Sequence, residues 1–66
     1  MDIVSAIIEY ESGELSDKQT LELFAELIKT GMAWQLQGSY GRTARDLILN
    51  GFINTKGEIL KENGME

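Results

Sequence analysis

Neither cysteine nor histidine occurs in this chain. That double absence excludes disulfide staples, thiolate and imidazole metal sites, and any cysteine or histidine acting as nucleophile or general base. No stretch approaches the roughly 18 consecutive apolar residues of a membrane span. The start Met1-Asp2-Ile3 lacks the basic segment that opens a secretion signal. The last two absences predict a cytoplasmic protein with no membrane partner, and no cofactor is expected.

What remains is a chain of 66 residues, 42% hydrophobic and 26% charged. That balance belongs to a folded domain rather than a disordered segment. A single domain over residues 1–66 is the limit, because a chain this short hides only about 60% of the surface it exposes when unfolded. A core of that size supplies about 3–5 kcal/mol. With the usual staples missing, packing quality or self-association must make up the rest, most simply as a two-fold homodimer or else as a higher homo-oligomer.

The net charge of −5 is unevenly spread. Residues 1–29 carry seven acids (Asp2, Glu9, Glu11, Glu14, Asp17, Glu22, Glu26) against Lys18 and Lys29, a balance of −5. Residues 30–56 set Arg42, Arg45 and Lys56 against Asp46, a balance of +2, and residues 57–66 return −2. An acidic chain repels nucleic acid at long range. The basic stretch is therefore local and falls where the composition is most unusual.

Apolar residues Ile3, Val4, Ile7 and Ile8 recur at helical spacing behind Asp2, which predicts a helix over about residues 3–11. Leu15-Ser16-Asp17-Lys18-Gln19 reads as a capping box that opens a second helix over about 17–29, with Gly31 to end it. Residues 32–50 are locally ambiguous, since Gly38 and Gly41 each cost a helix about 1 kcal/mol relative to alanine. Their phase is not ambiguous: Ala33, Leu36, Tyr40, Ala44, Leu47 and Ile48 fall within about 60° of one direction. That register predicts a third helix, bent or interrupted near Gly38-Ser39 and closed by Gly51. Phe52-Ile53, then Asn54 to Gly57, then Glu58-Ile59-Leu60 suggest two short strands about a turn with a left-handed glycine. The predicted fold is mainly α, a small three-helix domain with a C-terminal β-hairpin and a frayed tail over 61–66. Its expected core holds Ile3, Ile7, Phe24, Leu27, Ile28, Leu36, Tyr40, Ala44, Leu47, Ile48 and Ile53.

No enzyme is expected. Glu22 and Glu26 lie four apart but between Lys18 and Lys29, which suits a solvated, ion-paired helix face better than acid–base work. Ser16, Thr20, Ser39 and Thr43 have no histidine to activate them. The unusual stretch is Trp34 to Arg45, which gathers the only tryptophan, both arginines, a tyrosine and two glycines. Arginine offers a planar fork for phosphate or carboxylate, aromatic faces stack, and glycine lets a backbone come close. Trp34, Gln35, Gln37, Tyr40, Gly41, Arg42 and Arg45 are accordingly the candidate ligand- or partner-binding residues. The bland alternative makes Tyr40 and Leu36 core, the glycines packing spacers, and the arginines ion-pair partners of Asp46 or the second helix. Tyr40 reads both ways. Trp34 and Arg42 fall about 100° and about 180° from the Ala33 direction and so point away from a core. The glycines do not make a phosphate loop, because no Lys-Ser or Lys-Thr pair follows and no strand precedes them. A helix-turn-helix with a wing fits in outline, but two arginines in an acidic chain are a thin footprint for DNA.

The string Trp34-Gln35-Leu36-Gln37-Gly38-Ser39-Tyr40-Gly41-Arg42, with its continuation to Ile53 and the upstream Gly13-Glu14-Leu15-Ser16, resembles a family of very short uncharacterised proteins encoded by bacteriophages. The resemblance covers most of the chain and brings no activity with it. It implies a phage product in a bacterial cytoplasm that works by binding. Two readings follow: stoichiometric binding of a host protein, or an oligomer that sequesters a phosphorylated nucleotide signal as an anti-defence sponge. The acidic first half and the thin anion site favour the host protein.

Overall fold

The computed structural model describes residues 2–61. Three helices follow one another: α1 (Ile3–Glu11), α2 (Asp17–Thr30) and α3 (Gly38–Leu49), with a single 3-10 turn at Met32–Trp34 between the last two. No helix is long and apolar enough to cross a membrane among these residues. The part of the tail expected to fray that lies beyond Lys61 falls outside the described residues.

α2 begins as its sequence dictates. The Gln19 N–H donates to Ser16 Oγ at 3.1 Å and the Ser16 N–H donates to Gln19 Oε1 at 2.9 Å, so two otherwise orphaned donors are satisfied reciprocally. Asp2 starts α1 without capping it through its side chain; its carboxylate instead takes the Ser5 hydroxyl at 2.6 Å. α2 is the central element. Leu21, Leu23, Phe24, Ala25, Leu27 and Ile28 are all buried, which covers more than half of its circumference. A helix buried so widely must be packed on several sides, and α1, the 3-10 turn and the C-terminal loop all rest on it. Leu21, Leu23, Ala25, Ala6 and Ala33 join the core beyond the residues expected there, while Ile3, Ile7, Leu36 and Ile48 are only half-buried at its edge.

An aromatic cluster locks the three helices together. Tyr10 of α1 meets Phe24 of α2 edge-on, with centroids 5.3 Å apart. Tyr40 of α3 lies 6.0 Å from Phe24 and 5.7 Å from Tyr10. Such pairs add about 0.5–1.5 kcal/mol each beyond the area they bury.

The interruption expected near Gly38-Ser39 falls just before those residues, and the register is kept across it. The 3-10 turn ends at Trp34, Gln37 is extended (ψ 152°), and a new helix starts at Gly38. Two glycines at the start of a helix cost less than two in its middle, since the first turn has fewer intrahelical bonds to hold. Ala33, Tyr40, Ala44 and Leu47 are nonetheless all buried, as their phase predicts. α3 ends in a Schellman motif on left-handed Gly51 (φ 79°): the Gly51 N–H donates to the Ile48 carbonyl at 3.1 Å and the Phe52 N–H to the Leu47 carbonyl at 2.9 Å.

The expected C-terminal β-hairpin does not form. Among the described residues there is no strand, only an isolated antiparallel bridge between Ile53 and Ile59. The reason lies in where the backbone donors go. The N–H groups of Phe52 and Ile53 turn back to Leu47, and those of Lys56 and Glu58 are taken by Asn54 Oδ1 at 3.0 and 2.9 Å. Leu60 and Asn54 do donate across the ribbon, to the Phe52 carbonyl at 2.7 Å and the Glu58 carbonyl at 2.9 Å, but Phe52 and Glu58 cannot return those bonds, so pairing stops at one bridge. The turn itself is as expected: the Gly57 N–H donates to the Asn54 carbonyl at 3.0 Å and Gly57 is left-handed (φ 85°). Ile53 is fully buried, so the loop is anchored although it is not a sheet.

Candidate functional site

The interior contains no buried polar or charged residue and no buried side-chain nitrogen or oxygen without a partner, among the described residues. The polar and charged side chains of the described residues accordingly lie at the surface or at its edge.

Of the residues singled out in the sequence, the structure separates Tyr40 from the rest. Tyr40 is 4% exposed, and its hydroxyl donates to Glu11 Oε2 at 2.6 Å. Burial, and then that bond to the Glu11 carboxylate, push its pKa up to about 12. Both its face and its polar tip are occupied, so Tyr40 is unavailable to stack on a ligand. Trp34, Gln35, Gln37, Arg42 and Arg45 are exposed and Gly41 is half-buried.

These residues come together because the chain turns sharply before α3. Gly41 lets α3 approach the 3-10 turn: a Cβ on it would sit 3.6 Å from the Ala33 carbonyl oxygen and 3.8 Å from Trp34 Cε3. The indole therefore rests beside Gly41 while remaining 52% exposed. The Arg42 guanidinium folds back over the first turn, with Nη1 3.5 Å from the position of a Cβ on Gly38. Gln37 precedes that turn and gives it no side-chain cap.

At about 100° per residue, Gly38, Arg42, Arg45 and Leu49 of α3 fall within about 60° of one line, roughly opposite Tyr40, Ala44 and Leu47. That line is the outward face of α3, and the flat Gly38 leaves Arg42 free to lie along it. Leu49 is 73% exposed and was not among the candidates. Its spacing of seven from Arg42 placed it on the same face, but a lone leucine at a helix end is easily counted with the core. The face thus carries an indole near one end, a leucine at the other, and two guanidinium groups between them.

A second surface feature is acidic. A groove of about 230 Å³ between α1 and the start of α2 has Ala6 and Leu15 with Asp2, Glu9 and Glu22 among its lining residues. The Ser5 hydroxyl bonded to Asp2 holds that carboxyl below the usual carboxylate range. Charge separation seen in the sequence is thus carried into three dimensions. Among the described residues, no group of carboxylates is arranged to hold a metal ion.

Fold and surface together define a small helical domain whose chemistry-bearing side chains are displayed outward rather than gathered in a cavity. The chain belongs to the family described as a Domain of unknown function (DUF7417), which matches residues 1–66. No curated protein and no solved structure matches it.

Proposed function

We propose that the chain is a phage-encoded accessory protein that binds a host protein stoichiometrically through the outward face of α3. The observation that carries this reading is the line Gly38, Arg42, Arg45 and Leu49 with Trp34 beside it. Tryptophan and arginine dominate interface energetics because each brings a large, semi-rigid area together with polar reach. Here they stand exposed with no part in the core. The mode of recognition is a helix face laid against a complementary surface, read through positions three, four and seven apart. Leu49 and Trp34 supply the apolar anchors, and Arg42 and Arg45 supply the charge that fixes register.

The runner-up is an oligomeric sponge for a phosphorylated nucleotide. The uncapped start of α3 beside the Arg42 guanidinium favours an anion there. Burial of Tyr40 weakens this reading, since within the Trp34–Arg45 stretch it leaves a single exposed ring, that of Trp34, for base stacking. Affinity capture from bacterial lysate, with mass spectrometry of both proteins and small molecules, separates the two. A single host protein enriched at comparable molar yield supports the first reading. Recovery of a nucleotide with no enriched protein reverses the ranking.

A further inference from the structure

Val4 and Ile8 are 66% and 60% exposed although they lie on a helix whose other side is packed. Four residues apart, they stand one above the other on α1. Glu11, seven residues after Val4 and exposed, continues the same line. The outward line of α1 thus reads apolar, apolar, acidic at steps of four and three. The outward line of α3, read from its C-terminal end, is Leu49, Arg45, Arg42 at steps of four and three. The two patterns have the same spacing and opposite polarity of charge.

We propose that the Val4–Ile8–Glu11 line of α1 docks antiparallel on the Leu49–Arg45–Arg42 line of a second copy of this chain. In that register Leu49 seats by Val4 and Ile8, the aliphatic stem of Arg45 lies on Ile8, and the guanidinium groups reach the Glu11 carboxylate. One oxygen of Glu11 already accepts the Tyr40 hydroxyl, and a carboxylate has lone pairs to spare for an arginine. Pairing of like with like is disfavoured. Two α1 lines bring acids together or set Glu11 against Val4, and two α3 lines bring guanidinium groups together. Unlike faces pair either reciprocally in a two-fold dimer or head to tail in a longer assembly.

Three side chains on each side fall well short of the roughly 800 Å² per partner of a stable complex. The association is accordingly weak and sensitive to salt. It covers the α3 face assigned above to a host partner, so a crowded chain masks its own binding surface. The docking does not rest on that assignment, because it is measured on the chain alone.

Sedimentation velocity from about 20 µM to about 1 mM decides the matter. The weight-average coefficient is expected to rise with concentration in about 50 mM salt and to rise much less in about 500 mM. Ile8→Lys and Leu49→Glu should each stay monomeric with an unchanged melting midpoint. An equimolar mixture of the two should regain association, because the intact α1 line of the Leu49→Glu chain then meets the intact α3 line of the Ile8→Lys chain. A wild-type chain that stays monomeric at the highest concentration overturns the proposal. So does self-association that Leu49→Glu leaves intact.

Discussion

The Tyr40 hydroxyl donates to the Glu11 carboxylate across 29 residues of sequence, at 2.6 Å, and ties the start of α3 to the end of α1. Tyr40→Phe removes this bond but keeps the ring between Tyr10 and Phe24, and Glu11 is exposed enough for water to replace the lost donor. The expected loss is about 0.5–1.5 kcal/mol in denaturant unfolding, with the fold unchanged.

Burial of the Tyr40 hydroxyl, together with this contact, gives a pH dependence. Folding raises the Tyr40 pKa from its ordinary value of 10.0 to about 12, so the folded state holds its proton more tightly than the unfolded one. The stability it contributes is complete below pH 10 and is lost as pH climbs toward about 12. Thermal melts across that window should fall more steeply for the wild type than for Tyr40→Phe. Parallel slopes would show that the hydroxyl is not held as described.

Gly57 lies directly on a turn of α2. A Cβ added there would come within 2.6 Å of the Ala25 carbonyl oxygen and 2.9 Å of the Lys29 nitrogen, at a φ of +85° that disfavours alanine. Gly57→Ala is expected to cost more than about 2 kcal/mol. For a domain of this size that lowers the melting midpoint by about 10 °C or more. A drop within about 3 °C would mean that the loop is not seated on α2.

Asn54 replaces the missing sheet. Its side-chain oxygen accepts from the Lys56 and Glu58 N–H groups, and its amide donates to Glu58 Oε1 at 2.7 Å. Asn54→Ala should cost about 1–2 kcal/mol and speed amide exchange at Lys56 and Glu58 before any other change. Slow exchange surviving at both amides would contradict the assignment.

Much of this was legible in the sequence, and the boundaries between right and wrong are physical. The Ser16–Gln19 capping box and the glycine stop at Gly31 are local chemistry, and local rules found them. Phase alone places Ala33, Tyr40, Ala44 and Leu47 inward even though the helix is broken before Gly38, because a short break can preserve which side faces the core, whereas Leu36 and Ile48 reach only its edge. The hairpin was misread because β patterning in Phe52-Ile53 and Ile59-Leu60 says nothing about competing acceptors. Leu47 and Asn54 claim the donors that a ladder needs. Leu23 and Ala25 were missed because their burial depends on what packs against the far sides of α2. In the site, exposure of Trp34 and Arg42 followed from helical phase. Tyr40 reads from the sequence as either core or ligand-binding, because the partner that occupies its hydroxyl, Glu11, lies 29 residues away.

Arg42 tests whether the outward face of α3 is free of structural duty. Arg42→Ala should change stability by no more than about 0.5 kcal/mol, and Trp34→Ala by about 1 kcal/mol because the indole packs on Gly41. Arg42→Lys keeps the charge but not the planar fork, so it should retain the fold and recover binding only in part. Loss of fold in both Arg42 variants would make that side chain structural.

Quantitative capture from bacterial lysate by three versions of the chain tests the binding claim most directly: the wild type, Tyr40→Phe, and the Trp34→Ala/Arg42→Ala double variant. The wild type and Tyr40→Phe should retain the same host protein at comparable molar yield, and the double variant should lose it while remaining folded. An equal yield with the double variant, or a captured nucleotide with no enriched protein, would contradict the account.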